Sequence, residues 1–513
     1  MKKIYLGMIA LALGTYASAQ KPADPEKYAS LITAADAQKH LNILASDAYE
    51  GRETGKPGAD KAAHYIEAEF KRLGLQAPVN GSYFLDVPLV ENKLNISLSA
   101  NGQDLANGKD FFAGRGNIGD KTINATEIVF VGYGTDAEIG NTDLSGKILL
   151  WVNEDKPEAG KTPNTSYRMT AARTAVLKNL QSKGPALILA ANGDVAGLLQ
   201  RMGSSILGGR LSIKTDAAKP VVNTTTAPVL NITTDLADQL LKPSGKAYAD
   251  LKSSAAQTVA SSVKATFQSE QKDVKAVDVL GFMPGTDLKD EVLVFSAHYD
   301  HIGLNANGPD KVNNGADDDG SGTTAILEIA KAFAKAKKDG HGPRRSILFL
   351  GNVGEEKGLL GSEYYTDHPV FPLANTITDL NIDMIGRVGF DYIGKPDSAN
   401  YVYVIGSAML SKELHQVNEE ANTKYTHIDM DYKYDDPNDP NRFYYRSDHY
   451  NFAKHGVPII FYFNGVHADY HQPGDEVSKI NFPLLAKRAQ LVFYTGWELA
   501  NRDKRPALDQ PAK

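Results

Sequence analysis

The chain predicts an α/β fold built on a mixed, largely parallel central sheet flanked by helices, and three observations carry that prediction. Residues 291–297, 346–350 and 376–382 are runs of strand length, rich in aliphatic and β-branched side chains. Between the first two, residues 322–337 carry helical spacing at Ile326, Ile329, Ala330 and Phe333. Groups able to do chemistry sit at the ends of these runs or in the loops that follow: His298-Tyr299-Asp300-His301, Asp317-Asp318-Asp319, Glu355-Glu356 and Asp383. Strands alternating with helices imply parallel pairing, and ligands of such sheets gather beyond the carboxyl ends of the strands.

Several carboxylates crowded on one such edge could not all stay ionised without a counter-charge. A metal site supplies one. Imidazole with carboxylates suits zinc, and two neighbouring ions can share a bridging carboxylate while activating one water. Cysteine is absent, so thiolate zinc sites, disulfides and a cysteine nucleophile are excluded, and any metal must be held by His, Asp and Glu.

At 513 residues the chain is long enough for two domains or more, and 42% apolar with 23% charged residues is a soluble, globular composition. A net charge of -7 provides no broad basic surface, which argues against nucleic acid as a partner. The first residues, Met1-Lys2-Lys3, then apolar residues 4–13, then Ala17-Ser18-Ala19, have the three regions of a secretory signal peptide, cleaved after Ala19. The apolar run is shorter than the ~20 residues of a membrane span. The expectation is export to periplasm or medium, with no membrane attachment once the signal is removed.

Residues 33–45 and 59–73 read as amphipathic helices joined by a polar loop. From residue 124 to 271 short strands (127–131, 147–152, 186–189, 229–232) alternate with polar loops, and a helix pattern covers 168–182. That stretch has no cluster of potential ligands and reads as an inserted, β-rich domain. Gly132-Tyr133-Gly134 within it lacks the further glycine of a nucleotide loop and reads as a turn. The chain re-enters the main sheet at 276–283, and Pro284-Gly285-Thr286-Asp287 reads as a hairpin turn leading to His298. Residues 429–445 form an acidic, tyrosine-rich loop that fits calcium binding, a cleft wall or an ordinary exposed loop, with the cleft wall preferred. Ser447 reads as the N-cap of a short helix before strand 457–463, and a last helix starts near Asn481 and Pro483.

With these residues in view, the chain resembles the zinc aminopeptidases of the M28 metallopeptidase family, in the subgroup with an inserted protease-associated (PA) domain. The likeness rests on Leu44-Ala45-Ser46-Asp47, Glu50-Gly51-Arg52 and Thr54-Gly55 early on. In the insert it rests on residues 129–134 and 144–147, and beyond it on the metal motifs with Asp469-Tyr470-His471-Gln472-Pro473-Gly474-Asp475. It implies a division into a signal peptide (1–19), a first catalytic part (20–123), the PA domain (124–271), a metal-binding part (272–505) and a disordered tail (506–513).

The resemblance further implies two zinc ions. His298 and Asp383 would hold one, Glu356 and His471 the other, with Asp318 bridging, Glu355 as general base and Tyr470 as an oxyanion donor. Asp300 is expected to orient His298 through its ring N–H, Asp319 to shape the bridging loop, and His301, His449 and His467 to stay off the metals. The implied activity is release of N-terminal residues from peptides with a free α-amine by metal-activated water. Other peptidases on the same scaffold (a carboxypeptidase or dipeptidase), a glutaminyl cyclase and a non-enzymatic receptor-like protein are the alternatives. Oligomeric state is left open.

Overall fold

The computed structural model describes residues 24–113, 118–157, 160, 166–202, 208–214, 226–305, 308–396, 398 and 400–509. The expected signal peptide lies outside them. The described chain is built around two sheets, and the larger one carries the predicted chemistry.

Four parallel strands make the centre of the larger sheet, in the order Arg345–Asn352, Leu288–His298, Thr376–Ile382, Ile459–Phe463. Tyr401–Ile405 extends it antiparallel to the last of these, with Asp429–Asp431 beyond. On the other side lie Val263–Met283 and Phe84–Ala100, both antiparallel to their neighbours. The central strands are buried, apart from the first four residues of Leu288–His298, because helices cover both faces. Leu293, Phe295, Ala297 and Phe349 point to the face covered by helices Gly320–Lys338 and Phe482–Asn501. Val292, Val294 and Leu348 point to the other, against Tyr365 and Phe452. This is why the strands read as nearly continuous apolar runs.

Local chemistry accounts for the helix limits. Thr33 accepts from the Asp36 N–H at 3.1 Å to cap helix Ala34–Leu44, and Pro57 opens helix Pro57–Arg72 at a position where no N–H is needed. Asn481 caps the last helix by accepting from Leu484. That helix approaches the sheet closely, and a Cβ on Gly496 would stand 2.2 Å from the Phe295 ring, so only glycine fits there.

The sequence reading differs from the structure in several places. Pro284–Asp287 is a turn, but not of a hairpin: Arg345–Asn352 lies between the two strands it joins, antiparallel to Val263–Met283 and parallel to Leu288–His298. The Phe84–Ala100 and Val263–Met283 strands form a ribbon in register from Phe84 with Val279 to Ala100 with Val263, far longer than the expected strand at 276–283. Of the tail expected from residue 506, residues 506–509 are described, with the Asp509 N–H donating to Leu410 O at 3.0 Å and the Ala507 N–H to Glu413 at 2.9 Å.

The ribbon leads to the second sheet. Its far end packs Leu98, Ala100, Val263, Ala265 and Phe267 into the core there. The second sheet has its own parallel centre, Ile128–Phe130, Ile148–Val152, Leu187–Ala191 and Val229–Ile232, with Gln257–Val259 and Phe111–Ala113 as antiparallel edges. Helices Ala171–Ser182 and Thr234–Leu241 pack on its opposite faces. Phe111–Ala113 thus joins this sheet from before residue 124.

Candidate metal centre

Each predicted ligand leaves the carboxyl end of a central parallel strand or the loop beside it. His298 ends Leu288–His298, Glu355 and Glu356 follow Arg345–Asn352, Asp383 follows Thr376–Ile382, and His471 lies beyond Ile459–Phe463. Asp318 precedes helix Gly320–Lys338. Four adjacent parallel strands therefore deliver five of these side chains to one edge, as the topology requires.

Their donor atoms converge in two groups that meet at Asp318. His298 Nε2 is 3.4 Å from Asp318 Oδ1 and 3.6 Å from Asp383 Oδ1. His471 Nε2 is 3.1 Å from both Asp318 Oδ2 and Glu356 Oε2. Glu355 Oε2 stands 4.0 Å from His298 Nε2. His298 Nε2, Asp318 Oδ2, Glu356 Oε1 and His471 Nε2 are buried atoms with no hydrogen-bond partner. Buried polar atoms in folded proteins nearly always have a partner, so a group of orphans aimed at common points fits an ion. The imidazole and carboxylate donor set fits zinc.

The surrounding structure fixes these side chains. Asp300 contacts His298 Nδ1 through its backbone carbonyl at 3.1 Å, while its carboxylate is at 3.6 Å, so the expected orientation of His298 comes chiefly from the main chain. The Asp300 carboxylate instead accepts from the Glu355 N–H at 3.2 Å and the Thr54 hydroxyl at 2.6 Å. Asp319 caps the following helix and also accepts from Met384 N–H, leaving Asp318 to face the site. Asp475, four residues past His471, accepts the N–H groups of Asp317 and Asp318 at 3.0 Å, tying the His471 loop to the bridging loop. The buried Arg52 guanidinium holds this ground from below, donating to the carbonyls of Leu44, Tyr299, Asn314 and Gly315.

Ser447 is not the helix N-cap. Its hydroxyl donates to Asp383 Oδ2 at 2.7 Å and accepts from the Asn381 amide at 3.0 Å, and the helix His449–Lys454 begins after Asp448. Of the three histidines expected to stay off the metals, His449 donates from Nε2 to Tyr444 O at 2.8 Å, and His467 pairs with Asp317 at 3.2 Å. His301 differs: its ring lies against the second group, with Nδ1 2.9 Å from Glu356 Oε1. Nothing in the sequence separated it from the other two except its place three residues after His298.

Burial opposes charge on every group here, and the neighbours decide the outcome. Burial alone would lower His298, but Asp383 and Glu355 carry it well above the usual imidazole range. His471, lowered by burial, is lifted to about 10 by Asp318 and Glu356. Asp318 is held well below the carboxylate range, because His298 and His471 outweigh its burial. Glu355 moves the other way, raised well above its usual value by burial, opposed by His298 and reinforced by Glu356 and Asp383. The cleft beside these groups is lined by Asp318, Glu355 and Asp383 together with Met384, Phe443, Phe461 and Phe463. Phe443 comes from the acidic, tyrosine-rich stretch expected to form a cleft wall. Tyr470 and Arg446 stand at the same cleft, 3.4 Å apart.

Residues 278–496, which include all of the site except the Arg52–Thr54 segment, match the model of Peptidase family M28. Over that stretch the chain is similar to the M28 peptidases. The aminopeptidase YwaD of Bacillus subtilis is 26% identical over 237 residues, 45% of this chain and 46% of that protein. A probable leucine aminopeptidase of Arthroderma benhamiae is 30% identical over 229 residues, 43% of this chain and 57% of that one. The match thus spans about half the length of these curated relatives. An aminopeptidase from Aneurinibacillus sp. strain AM-1 shares the fold with a TM-score of 0.56 at 19% identity, over 95% of this chain and 98% of that one. A zinc aminopeptidase from Bacillus subtilis superposes at 0.55, also 19% identical, over 92% and 96%. Within the matched residues, the loops that carry the candidate ligands are those that sequence motifs mark, whereas the contacts of Ser447, Asp475 and His301 emerge only from the folded arrangement.

Proposed function

We propose that this chain is an exported dizinc aminopeptidase that removes N-terminal residues from peptides, with the second sheet as its protease-associated domain. The observation that carries the reading is the convergence of His298, Asp318, Glu356 and His471, whose buried donor atoms have no hydrogen-bond partner, with Asp383 and Glu355 beside them at the cleft. His298, Asp318 and Asp383 would hold one ion, and Asp318, Glu356 and His471 the other. When bound, zinc supplies Lewis acidity and a lowered pKa for water.

The side chains of the chain supply the rest. Glu355 diverges from Glu356 and faces the cleft, where its raised pKa suits taking a proton from water and returning it to the leaving amine. Asp300 fixes the Glu355 backbone while steadying His298. Burial keeps the Tyr470 phenol protonated, so it can donate to a developing oxyanion. Met384, Phe443, Phe461 and Phe463 line the same cleft and suit an apolar first side chain. Export rests on the signal-like first nineteen residues. Among the described residues no helix is long and apolar enough to cross a membrane.

The test pairs a peptide bearing a free α-amine with its N-acetylated twin and follows products by mass, using the wild type and Glu355→Gln. The expected result is stepwise shortening of the free peptide alone, with Glu355→Gln keeping its metal and losing roughly 10²–10⁴-fold in kcat. Equal cleavage of the blocked peptide, or loss of C-terminal residues first, would overturn the aminopeptidase reading. An active Glu355→Gln would overturn the base.

A further inference from the structure

We infer that His301 is a further protein donor of this centre, joining Asp318, Glu356 and His471 around one ion through Nδ1, so that the two metal positions are unequal. The inference rests on the dizinc reading above and concerns how its two halves differ.

Distance is the first support. Four donors around a tetrahedral zinc at bonds of about 2.0–2.1 Å stand roughly 3.3 Å from one another. His301 Nδ1 is 2.9 Å from Glu356 Oε1 and 3.8 Å from Asp318 Oδ2, and His471 Nε2 is 3.1 Å from both carboxylates. These separations bracket the tetrahedral edge.

Direction is the second. At 2.9 Å a hydrogen bond from His301 to Glu356 would be the ordinary explanation, yet neither Nδ1 nor Oε1 has an aligned partner. His301 Nε2 has none either, although the residue is fully buried. Atoms that lie close without pointing at each other fit donors aimed at a common ion between them. His467 and Asp317, 3.2 Å apart, are unaligned in the same way but belong to no group of three possible ligands among the described residues, whereas His301, Asp318 and Glu356 form one.

The ring is also held in place. The His301 backbone N–H donates to Arg52 O at 3.1 Å, on the segment whose guanidinium staples the metal loops. Gly315, at φ +57°, makes room for it, since a Cβ there would stand 2.5 Å from the His301 ring. A sequence that needs glycine under a histidine ring has built that ring into the site.

The consequence is asymmetry. One ion has His298, Asp318 and Asp383, three protein donors with an open position, while the other has four and is closed by protein, the pattern that separates catalytic from structural zinc. The cleft agrees, since it is lined by Asp318, Glu355 and Asp383 but by none of His301, Glu356 or His471. Substrate therefore meets the centre on the Asp383 side.

The full chain is titrated with Zn²⁺ against a competing chelator, and bound ions are counted by mass spectrometry, for the wild type, His301→Ala and His301→Gln. Cobalt absorption is recorded on the same proteins. The expected result is two ions in the wild type, with one kept at unchanged affinity and the other weakened at least about tenfold in both variants. Weaker visible cobalt bands from the second position should accompany this. Two ions at wild-type affinity in either folded variant would overturn the proposal, and so would full recovery in His301→Gln alone, which would assign His301 a hydrogen-bonding role. Should His301→Ala fail to fold, as judged by circular dichroism, His301→Gln decides the matter. A wild type that binds fewer than two ions would instead overturn the dizinc reading.

Discussion

Two sheets in this chain present the same kind of edge, and only one of them is equipped for chemistry. Each has four neighbouring parallel strands, buried where they run deepest, with polar residues at their carboxyl ends. At the second sheet those residues are Asn153 and Glu154, Asn192 and Thr233, and they are committed locally. Asn192 donates to Asn153 O at 2.7 Å, Arg173 to the same carbonyl at 3.0 Å, Lys252 pairs with Glu154 at 2.6 Å, and Thr233 caps a helix. At the larger sheet, His298, Asp318, Glu356 and His471 come within 3.1–3.4 Å along the chain of contacts yet keep buried atoms without hydrogen-bond partners. Parallel topology provides the edge. Metal chemistry needs ligand-type atoms that the protein itself leaves unsatisfied.

The comparison breaks most completely at Asp318, the residue common to both ligand groups. Asp318→Ala should remove the anchor of both ions and bring peptide hydrolysis below detection, with metal content by mass spectrometry falling in parallel. Loss of activity with two ions retained would mean that Asp318 does not bridge. A smaller break lies behind Asp383. Ser447→Ala removes the 2.7 Å donor that fixes its carboxylate, and outer partners of metal ligands typically affect affinity or activity roughly 10–100-fold. The expected effect is a loss of that size in kcat/KM, with the weakening in zinc titration confined to one ion. Unchanged kinetics would make the Ser447 contact incidental.

These residues also mark how far the sequence could be read. The larger sheet's central strands and the residues at their ends were legible because each signal is local: an apolar run, then a His, Asp or Glu pair. Strand order was not, and the turn at Pro284–Asp287 looks the same whether its strands pair or admit Arg345–Asn352 between them. The ribbon was missed because residues 268–275 are almost wholly exposed and polar, so they lack apolar periodicity. Ser447 was read from its neighbours in sequence as a helix cap, while its true partner Asp383 is 64 residues away. His301 was set aside with His449 and His467, since a histidine's partners are decided by how loops fold over it. The five ligand motifs carry their own flanking residues, but the hydrogen bonds that orient them come from distant segments.

The mildest expected effect is on the other side of the comparison, at Glu154. If an edge becomes active only when its polar groups are left unpartnered, disturbing a partnered edge should change stability and nothing else. Glu154→Gln keeps an amide able to accept from Gly193 but leaves Lys252 without its carboxylate, and hydrogen bonds to charged groups contribute about 1.5–3 kcal/mol. Lys252 is partly exposed, so water recovers some of that, and a loss near the lower end is expected in urea unfolding. Zinc stoichiometry and kcat/KM should be unchanged, because no ligand or cleft residue touches Glu154. A fall in kcat/KM with metal content intact would show that the second sheet is coupled to the catalytic edge. The two edges would then be parts of one machine, with the ribbon of Phe84–Ala100 and Val263–Met283 as the physical link to examine next.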